Sequence, residues 1–254
     1  MINILLSGCN GRMGQVVTRM CAEAPEVRIV AGVDINPEKK NDYPVYADPM
    51  EYSGHVDCVI DFSNPAALSS LLGYCKKSGA AVILATTGYS QEQLAEIAEA
   101  AKELRIFRSA NMSLGINVLL SLVRQAARVL GATTDIEIVE RHHNQKLDAP
   151  SGTAIMIADA MASVLEEAPE YVYERHSRRQ KREKQEIGIS AVRGGTIVGD
   201  HEVIFAGIDE VLEIRHSAYS REIFANGAVR AAVFMASQKK PGVYNMEQLV
   251  ESVL

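Results

Sequence analysis

The sequence predicts an α/β chain, with a doubly wound parallel sheet first and a second domain of α+β type after it. Three observations carry this. Short apolar runs alternate with helical patterns through the first hundred residues, the mark of βαβ units and a parallel sheet. A glycine-rich turn directly follows the first run. Past residue 110 long helices give way to three alternating runs joined by glycine-rich turns, the pattern of a separate mixed or antiparallel sheet.

Each element has its own signal. INILLS is an apolar run ending at Gly8 and predicts a strand; a helix follows from Arg12 to about Ala24, and Pro25 ends it. VRIVAGV is the second strand and stops at Asp34. VDCVIDF, residues 56 to 62, is the third, and Pro65 then opens a helix in its first turn, where a missing N–H costs nothing. AAVILATTG and RIFRSA supply two more strands around QEQLAEIAEAAKEL, a helix with apolar residues three and four apart. SLGINVLLSLVRQAARVLG predicts a long amphipathic helix, DIEIVERH a half-buried strand, and TAIMIADAMASVLEE a helix beginning just after Ser151 and Gly152. IGISAVR, HEVIFAG and EVLEIRHSA are the later strands, and REIFANGAVRAAVFMASQ is helical again. The expected organisation is a first domain over 1–112, a second over 113–219, and a segment 220–254 that packs back on the first.

Composition narrows the tasks open to such a chain. With 254 residues, 47% of them apolar, it can bury a substantial core. A net charge of -6 disfavours nucleic acid and anionic membrane, which leaves small molecules as the expected partners. Cys9, Cys21, Cys58 and Cys75 form no CxxC pair, so neither a disulfide framework nor a zinc site is expected, and a reducing cytoplasm fits. MINILLSG is too short for a signal segment and lacks a basic flank, and no run of 18 apolar residues occurs, so the expected chain is neither exported nor membrane-spanning. RHSRRQKREK, residues 175 to 184, has no interleaved aromatics and reads as a solvated linker without function.

GCNGRMG places glycines at 8, 11 and 14. Glycine permits a tight turn and lets phosphates approach the backbone, while the following helix aims free N–H groups and its positive dipole end at them. A dinucleotide's pyrophosphate fits this turn, although the spacing is GxxGxxG rather than GxGxxG. Asp34 lies 20 residues past Gly14 at the end of the second strand, where a carboxylate accepts from a ribose diol. The first domain is therefore expected to be Rossmann-like. Cys9, inside the turn, is expected to pack as a small apolar residue.

Residues 140 to 154, ERHHNQKLDAPSGTA, leave a strand, cross a loop and enter a helix. Ser151 or the Gly152-Thr153 pair sits at the helix start, which offers N–H groups, a hydroxyl and a dipole to an anion, and Lys146 adds a full positive charge. His142 and His143 ordinarily titrate near ~6.5, so either can exchange a proton at neutral pH. The plainer alternative is that Ser151 only caps, Asp148 only braces the turn and the histidines are solvated. Convergence of a cation with a helix N-terminus favours an anionic substrate. Glu140, His142, His143 and Asp148 are not expected to hold a metal, since Lys146 would sit among them and HHxxK matches no zinc spacing.

This loop resembles the signature of the dihydrodipicolinate reductase family, nicotinamide-dependent enzymes of bacterial and plant lysine and diaminopimelate synthesis. The likeness extends over nearly the whole chain, through GCNGRMG, VIDFSNP, ATTGY, SANMSLGINVLL, AVRGGTIVGDHEVIF and FANGAVRAA. It implies reduction of 4-hydroxy-tetrahydrodipicolinate, a cyclic imine dicarboxylate, to tetrahydrodipicolinate with NADH or NADPH. It further implies that His142 is the proton donor, that Lys146 assists at the same centre, and that His143, Gly152 and Thr153 hold the substrate beside Ser151. Gly8, Cys9, Asn10, Gly11, Arg12, Met13, Asp34, Ala85, Thr86, Thr87, Ser109, Ala110, Asn111 and Met112 would line the cofactor, and the second-domain sheets would build a homotetramer.

One departure bears on the cofactor. Many members of the family follow the acidic residue with a basic one for the 2′-phosphate of NADPH, whereas Asp34 is followed by Ile35 and Asn36. NADH is therefore expected to serve at least as well as NADPH, with Arg12, Lys39 and Lys40 as the competing phosphate ligands. Two other functions suit the same motifs: a different oxidoreductase acting on an aspartate-derived or sugar substrate, and a non-catalytic NADH-binding redox sensor. A substrate panel separates the first, and loss of function on His142→Gln with NADH binding retained excludes the second.

Overall fold

The computed structural model describes residues 1–38 and 41–253, so Lys39 and Lys40 lie outside the described residues. The elements run β1 (Ile2–Ser7), α1 (Arg12–Glu23), β2 (Val27–Val33), β3 (Val45–Tyr46), β4 (Cys58–Asp61), α2 (Leu68–Ser78), β5 (Ala81–Leu84), α3 (Gln91–Ala100) and β6 (Arg105–Arg108). Then come α4 (Leu114–Leu130), β7 (Asp135–His142), α5 (Gly152–Ala162), β8 (Glu170–Val172), β9 (Glu186–Arg193), β10 (Gly199–Ala206) and β11 (Val211–Ala218). The chain closes with α6 (Glu222–Ser237), β12 (Gly242–Tyr244) and α7 (Met246–Glu251). Two compact units result: Met1–Leu114 with Glu222–Leu254, and Gly115–Arg221.

The first unit is built on a seven-stranded sheet in the order β12-β6-β5-β4-β1-β2-β3, with parallel pairing throughout. Its strands are mainly apolar because both faces are covered, with Asn3, Ser7, Arg28, Asp61, Arg105 and Arg108 as the polar positions among them. Ile4, Leu6, Ile60, Ile83 and Phe107 pack on the side that holds residues of α1, α6 and α7. Leu5, Val59, Val82 and Ile106 face the opposite side, with residues of α2 and α3. Asn64 caps the 3-10 turn at Pro65–Ala67 that leads into α2, so proline stands at the helical entrance as its missing N–H predicts.

In the second unit the sheet is mixed, in the order β11-β10-β7-β9-β8: β7 and β8 each run parallel to β9, while β10 runs antiparallel to both β7 and β11. Burial alternates along β7 and β10, so Ile136, Ile138, Val203 and Phe205 meet Ile187, Ile189 and the apolar sides of α4 and α5. Burying each such side chain contributes roughly 1.5–3 kcal/mol. α5 is shorter than its apolar pattern suggests. It ends at Ala162, where the Ser163 hydroxyl donates to the Ala160 carbonyl at 2.8 Å and the chain turns.

The charged stretch 175 to 184 corrects the expectation of a solvated linker. Arg175 pairs with Glu137 at 2.6 Å and with Glu186 at 2.5 Å, and Arg178 pairs with Glu170 at 2.7 Å. Arg182 binds Asp135 at 3.0 Å and Glu137 at 3.1 Å, and it also donates to the carbonyls of Ile136, Glu183 and Glu186. Glu186 is only 3% exposed, and the Arg175 guanidinium holds its carboxyl below the usual range. The basic run lacks hydrophobic periodicity because its partners are carboxylates and carbonyls on the outer parts of β7 and β9, which only the fold brings to it.

Candidate active site

In the first unit, the parallel order turns between β4 and β1, and the carboxyl ends of the strands lie along one edge. Such a switch point is where open α/β sheets bind ligands. Gly8 ends β1 with φ at 75°, and a Cβ on Gly14 would lie 2.2 Å from the Gly8 carbonyl oxygen, so only glycine lets α1 start so close to the turn. Gly11 is the N-cap of α1, no side chain caps that helix, and no acidic residue stands in its first turn. Arg12 is exposed and Met13 half-buried beside this helix start.

Asp34 follows β2, next to the turn. Its carboxylate accepts from the Asn10 N–H at 2.9 Å and the Asn36 N–H at 3.0 Å, and the Asn10 amide donates to the Asn36 carbonyl at 2.6 Å. Ala85, Thr86 and Thr87 follow β5, and Ser109 to Met112 follow β6, so the fold brings the expected cofactor residues to one edge of one sheet. Cys9 and Met112 differ in kind from the rest. They are 0% and 5% exposed within the core, so their side chains pack in the fold. A turn that a Cβ would fill, an uncapped helix start and a carboxylate closing β2 together fit a dinucleotide.

The second unit assembles the loop. His142 ends β7 and is 8% exposed, and its Nδ1 lies 2.6 Å from Glu140 Oε2 on the same strand face. Glu140 is fully buried. It also receives both terminal nitrogens of Arg193 from neighbouring β9, each at 2.7 Å, and the Ser151 N–H at 2.9 Å. Burial alone would raise the Glu140 carboxyl, but the hydrogen bonds from Arg193, His142 and Ser151 outweigh it and hold the group below the usual carboxylate range. An ionised carboxylate only accepts, so His142 Nδ1 is the donor and Nε2 is the nitrogen left for chemistry. That nitrogen faces Gly199, where a Cβ would come within 3.1 Å of it.

Lys146 pairs with Asp148 at 2.8 Å. The ammonium holds the Asp148 carboxyl below its ordinary range, and the Gly152 N–H adds to the effect. Lys146 and the start of α5 thus converge on a carboxylate. Ser151 is engaged within the fold: it is 2% exposed, its N–H is given to Glu140, and its hydroxyl accepts from the Ala154 N–H at 3.2 Å and meets His201 Nε2 at 3.0 Å. It caps α5 and braces the loop. Gly152 is exposed and Thr153 half-buried at the same helix start, while His143 Nδ1 is buried without a protein hydrogen bond.

Sequence reasoning passed over two residues. Arg193 joins Glu140 across the parallel β7–β9 pairing, a contact between positions 53 apart in the chain. His201 stands cross-strand from Glu140 on β10, edge-on to His142 with ring centroids 5.2 Å apart. Burial first, and then the neighbouring His142, push the His201 imidazole down to about 4, so it is neutral at pH 7. Its signal was present in the alternation of β10, where His201 falls in phase with the buried Val203 and Phe205.

An open parallel sheet with a glycine turn and a carboxylate at its switch point is the nucleotide half of the Rossmann-type NAD(P)H-dependent oxidoreductases, and the chain falls in that class. Residues 2–112 match the family described as "Dihydrodipicolinate reductase, N-terminus", and residues 115–250 match "Dihydrodipicolinate reductase, C-terminus"; the chain belongs to the dihydrodipicolinate reductase family. A 4-hydroxy-tetrahydrodipicolinate reductase of Caldanaerobacter subterraneus subsp. tengcongensis is 56% identical over 251 residues, covering 99% of each chain. That of Clostridium tetani is 49% identical over 252 residues, covering 99% of this chain and 98% of the other. Among solved structures, a dipicolinate-bound dihydrodipicolinate reductase from a Paenisporosarcina species superposes with a TM-score of 0.81 at 24% identity, over 98% of this chain and 99% of that one. A myo-inositol dehydrogenase from Corynebacterium glutamicum shares the fold at a TM-score of 0.60 and 16% identity, over 100% of this chain and 93% of the other.

Proposed function

We propose that the protein reduces 4-hydroxy-tetrahydrodipicolinate to tetrahydrodipicolinate in diaminopimelate and lysine synthesis, with the first unit holding the nicotinamide nucleotide and the second the substrate. The observation that carries this reading is the buried carboxylate–histidine pair of Glu140 and His142, set in the same loop as Lys146 and the start of α5. The bound nicotinamide supplies a hydride. One hydride and one proton enter the ring and one water leaves, so an acid is required at the electron-rich ring carbon. His142 delivers that proton from Nε2, the ring nitrogen left open by the bond from Nδ1 to Glu140.

Two substrate carboxylates need donors. Lys146 and the N–H groups at Gly152 and Thr153 supply them, and the hold of Lys146 on Asp148 supports a corner suited to carboxylates. The unsatisfied Nδ1 of His143 in the same loop supports a further contact to that ligand, and Ser151 braces the loop through its N–H on Glu140. The first unit's contribution is positional: the backbone from Gly8 to Met13 receives the pyrophosphate, Asp34 the ribose, and Ala85 to Thr87 with Ser109 to Met112 line the nucleotide. Lys146→Ala is expected to lower turnover by about 10²-fold or more and to raise KM as well, because the ammonium serves both substrate binding and the reacting centre; steady-state kinetics separate the two parameters.

The sheet of the second unit leaves Val192, Val211 and Leu212 44%, 59% and 42% exposed, which supports assembly into a homotetramer through this unit; light scattering in solution tests it. A net charge of -6 supports partners that are small molecules rather than nucleic acid. Four free, buried cysteines support a cytoplasmic setting, which fractionation of the source cells checks, and no described helix is long and apolar enough to cross a membrane. The activity is tested by adding the freshly formed condensation product of pyruvate and aspartate semialdehyde and following nicotinamide oxidation, with dipicolinate as inhibitor. Oxidation that depends on this product and is blocked competitively by dipicolinate supports the reading; turnover of a sugar or another aspartate-derived carbonyl instead overturns it.

A further inference from the structure

Glu140 and Arg193 have no place in the reaction as described so far, yet they are the most constrained ionic groups near it. Glu140 has no exposed surface, and a carboxylate there is costly unless every oxygen is engaged. All of its bonds are short and directed: Arg193 spans both oxygens at 2.7 Å, the Ser151 N–H takes Oε1 at 2.9 Å, and His142 Nδ1 takes Oε2 at 2.6 Å. Arg193 is itself tied down by the Asp148 carbonyl at 2.6 Å, which links this pair to the loop that carries Lys146. A carboxylate needed only to brace the turn would not require a histidine as its fourth partner.

We propose that Glu140 and Arg193 are positioning residues that act through His142 in opposite senses, Glu140 fixing its tautomer and favouring its protonated form while Arg193 limits that preference. This rests on the reading of His142 as the proton donor. With Nδ1–H held by the carboxylate, Nε2 is the nitrogen that gains and loses the catalytic proton, and the ring cannot flip without breaking the 2.6 Å bond. A bare carboxylate at this distance would stabilise the imidazolium so strongly that it became a poor acid. The bidentate guanidinium offsets part of that charge, so the ring can still release its proton.

The other charged and titratable groups around His142 do not duplicate this pair. His201 on β10 faces the ring edge-on and is neutral at pH 7, so it adds bulk and a polar edge without a charge. His216 on β11 lies cross-strand from His201, and burial lowers its imidazole too. In the loop, Lys146 and Asp148 are paired with each other. On the neighbouring strands, Arg141 is paired with Glu202 at 2.7 Å and Asp200 with Arg215 at 2.8 Å. Glu140 is thus the carboxylate that contacts the ring, and Arg193 the cation that contacts Glu140.

The test is the pH dependence of kcat/KM in the full-length protein. A general acid loses activity on the alkaline side, so Glu140→Gln, which removes the negative charge, is expected to move the alkaline limb down by about one pH unit or more. Arg193→Met, which leaves that charge unopposed, is expected to move it up by a similar amount, and Arg193→Lys to restore it toward the parent position. Shifts of the same sign, or lower activity with an unmoved limb in both variants, would reduce the pair to a structural role and overturn the proposal. Nitrogen-15 NMR of the unsubstituted protein provides a reading that needs neither variant to fold: neutral His142 is expected as the Nδ1–H tautomer, and the Nε2–H tautomer would overturn it. His142→Gln separates the two levels of argument. Full activity in that variant defeats the proton-donor reading, whereas a large loss there without opposite shifts in the other variants defeats only the present inference.

Discussion

At the scale of single residues, chemistry was legible where a motif concentrates it and illegible where a strand pairing creates it. His142, Lys146 and the Gly152-Thr153 helix start stand within a stretch of twelve residues, and a reader of that stretch sees a proton carrier, a cation and a dipole together. Arg193 and His201 belong to the same cluster but reach it across β9 and β10; the alternation of β10 marks His201 as buried, while nothing local marks Arg193. His201 has a measurable consequence. Its folded-state value of about 4 lies below the ordinary value of ~6.5. In that window the unfolded chain takes up a proton that the fold refuses, so its contribution to stability is complete above about 6.5 and lost as pH falls toward 4. Urea unfolding of the parent is expected to show about 2 kcal/mol more loss between pH 7 and pH 5 than His201→Gln; equal losses in both would contradict the burial of a neutral imidazole. The proposed cofactor preference rests on Asp34. Its carboxylate suits a ribose diol and repels a 2′-phosphate, and Ile35 and Asn36 follow it. NADH is expected to serve at least as well as NADPH, and Asp34→Ala to improve NADPH use, in kinetics at fixed ionic strength. A strong NADPH preference abolished by Lys39→Ala/Lys40→Ala would reverse the assignment.

Among the elements, long periodic segments were readable and short ones were not. VRIVAGV is β2 to the residue, and the helix expected over QEQLAEIAEAAKEL is α3, which ends four residues earlier at Ala100, because an apolar run or a three-and-four spacing reports burial directly. β3, β8 and β12 have two or three residues each and exist through the edges they pair with, so no period identifies them. The run from Arg175 to Lys184 failed for a different reason: charge was read as solvation when Arg175, Arg178 and Arg182 pair with carboxylates on the strands beside it, those on β7 being far away in sequence. Arg182 shows the difference in energy. It is a largely buried hub for Asp135, Glu137 and three carbonyls, so Arg182→Ala is expected to cost about 2 kcal/mol in urea unfolding. A solvated linker residue would change stability by less than about 0.5 kcal/mol.

For the whole molecule, the division of labour follows from what each unit offers. The first offers glycine, an uncapped helix start and a carboxylate at a switch point, which suit a nucleotide. The second offers an imidazole held by a buried carboxylate and a corner where Lys146 and the Gly152 N–H meet a carboxylate, which suit the proposed dicarboxylate awaiting a proton. The central claim is that the proton comes from His142. It is tested most directly by measuring, in one preparation of His142→Gln, both turnover of the pyruvate–aspartate semialdehyde condensation product and nicotinamide nucleotide affinity. Turnover about 10²- to 10⁴-fold below the parent with cofactor affinity unchanged is the expected result, whereas turnover within about twofold of the parent would contradict it, since a general acid contributes far more than that.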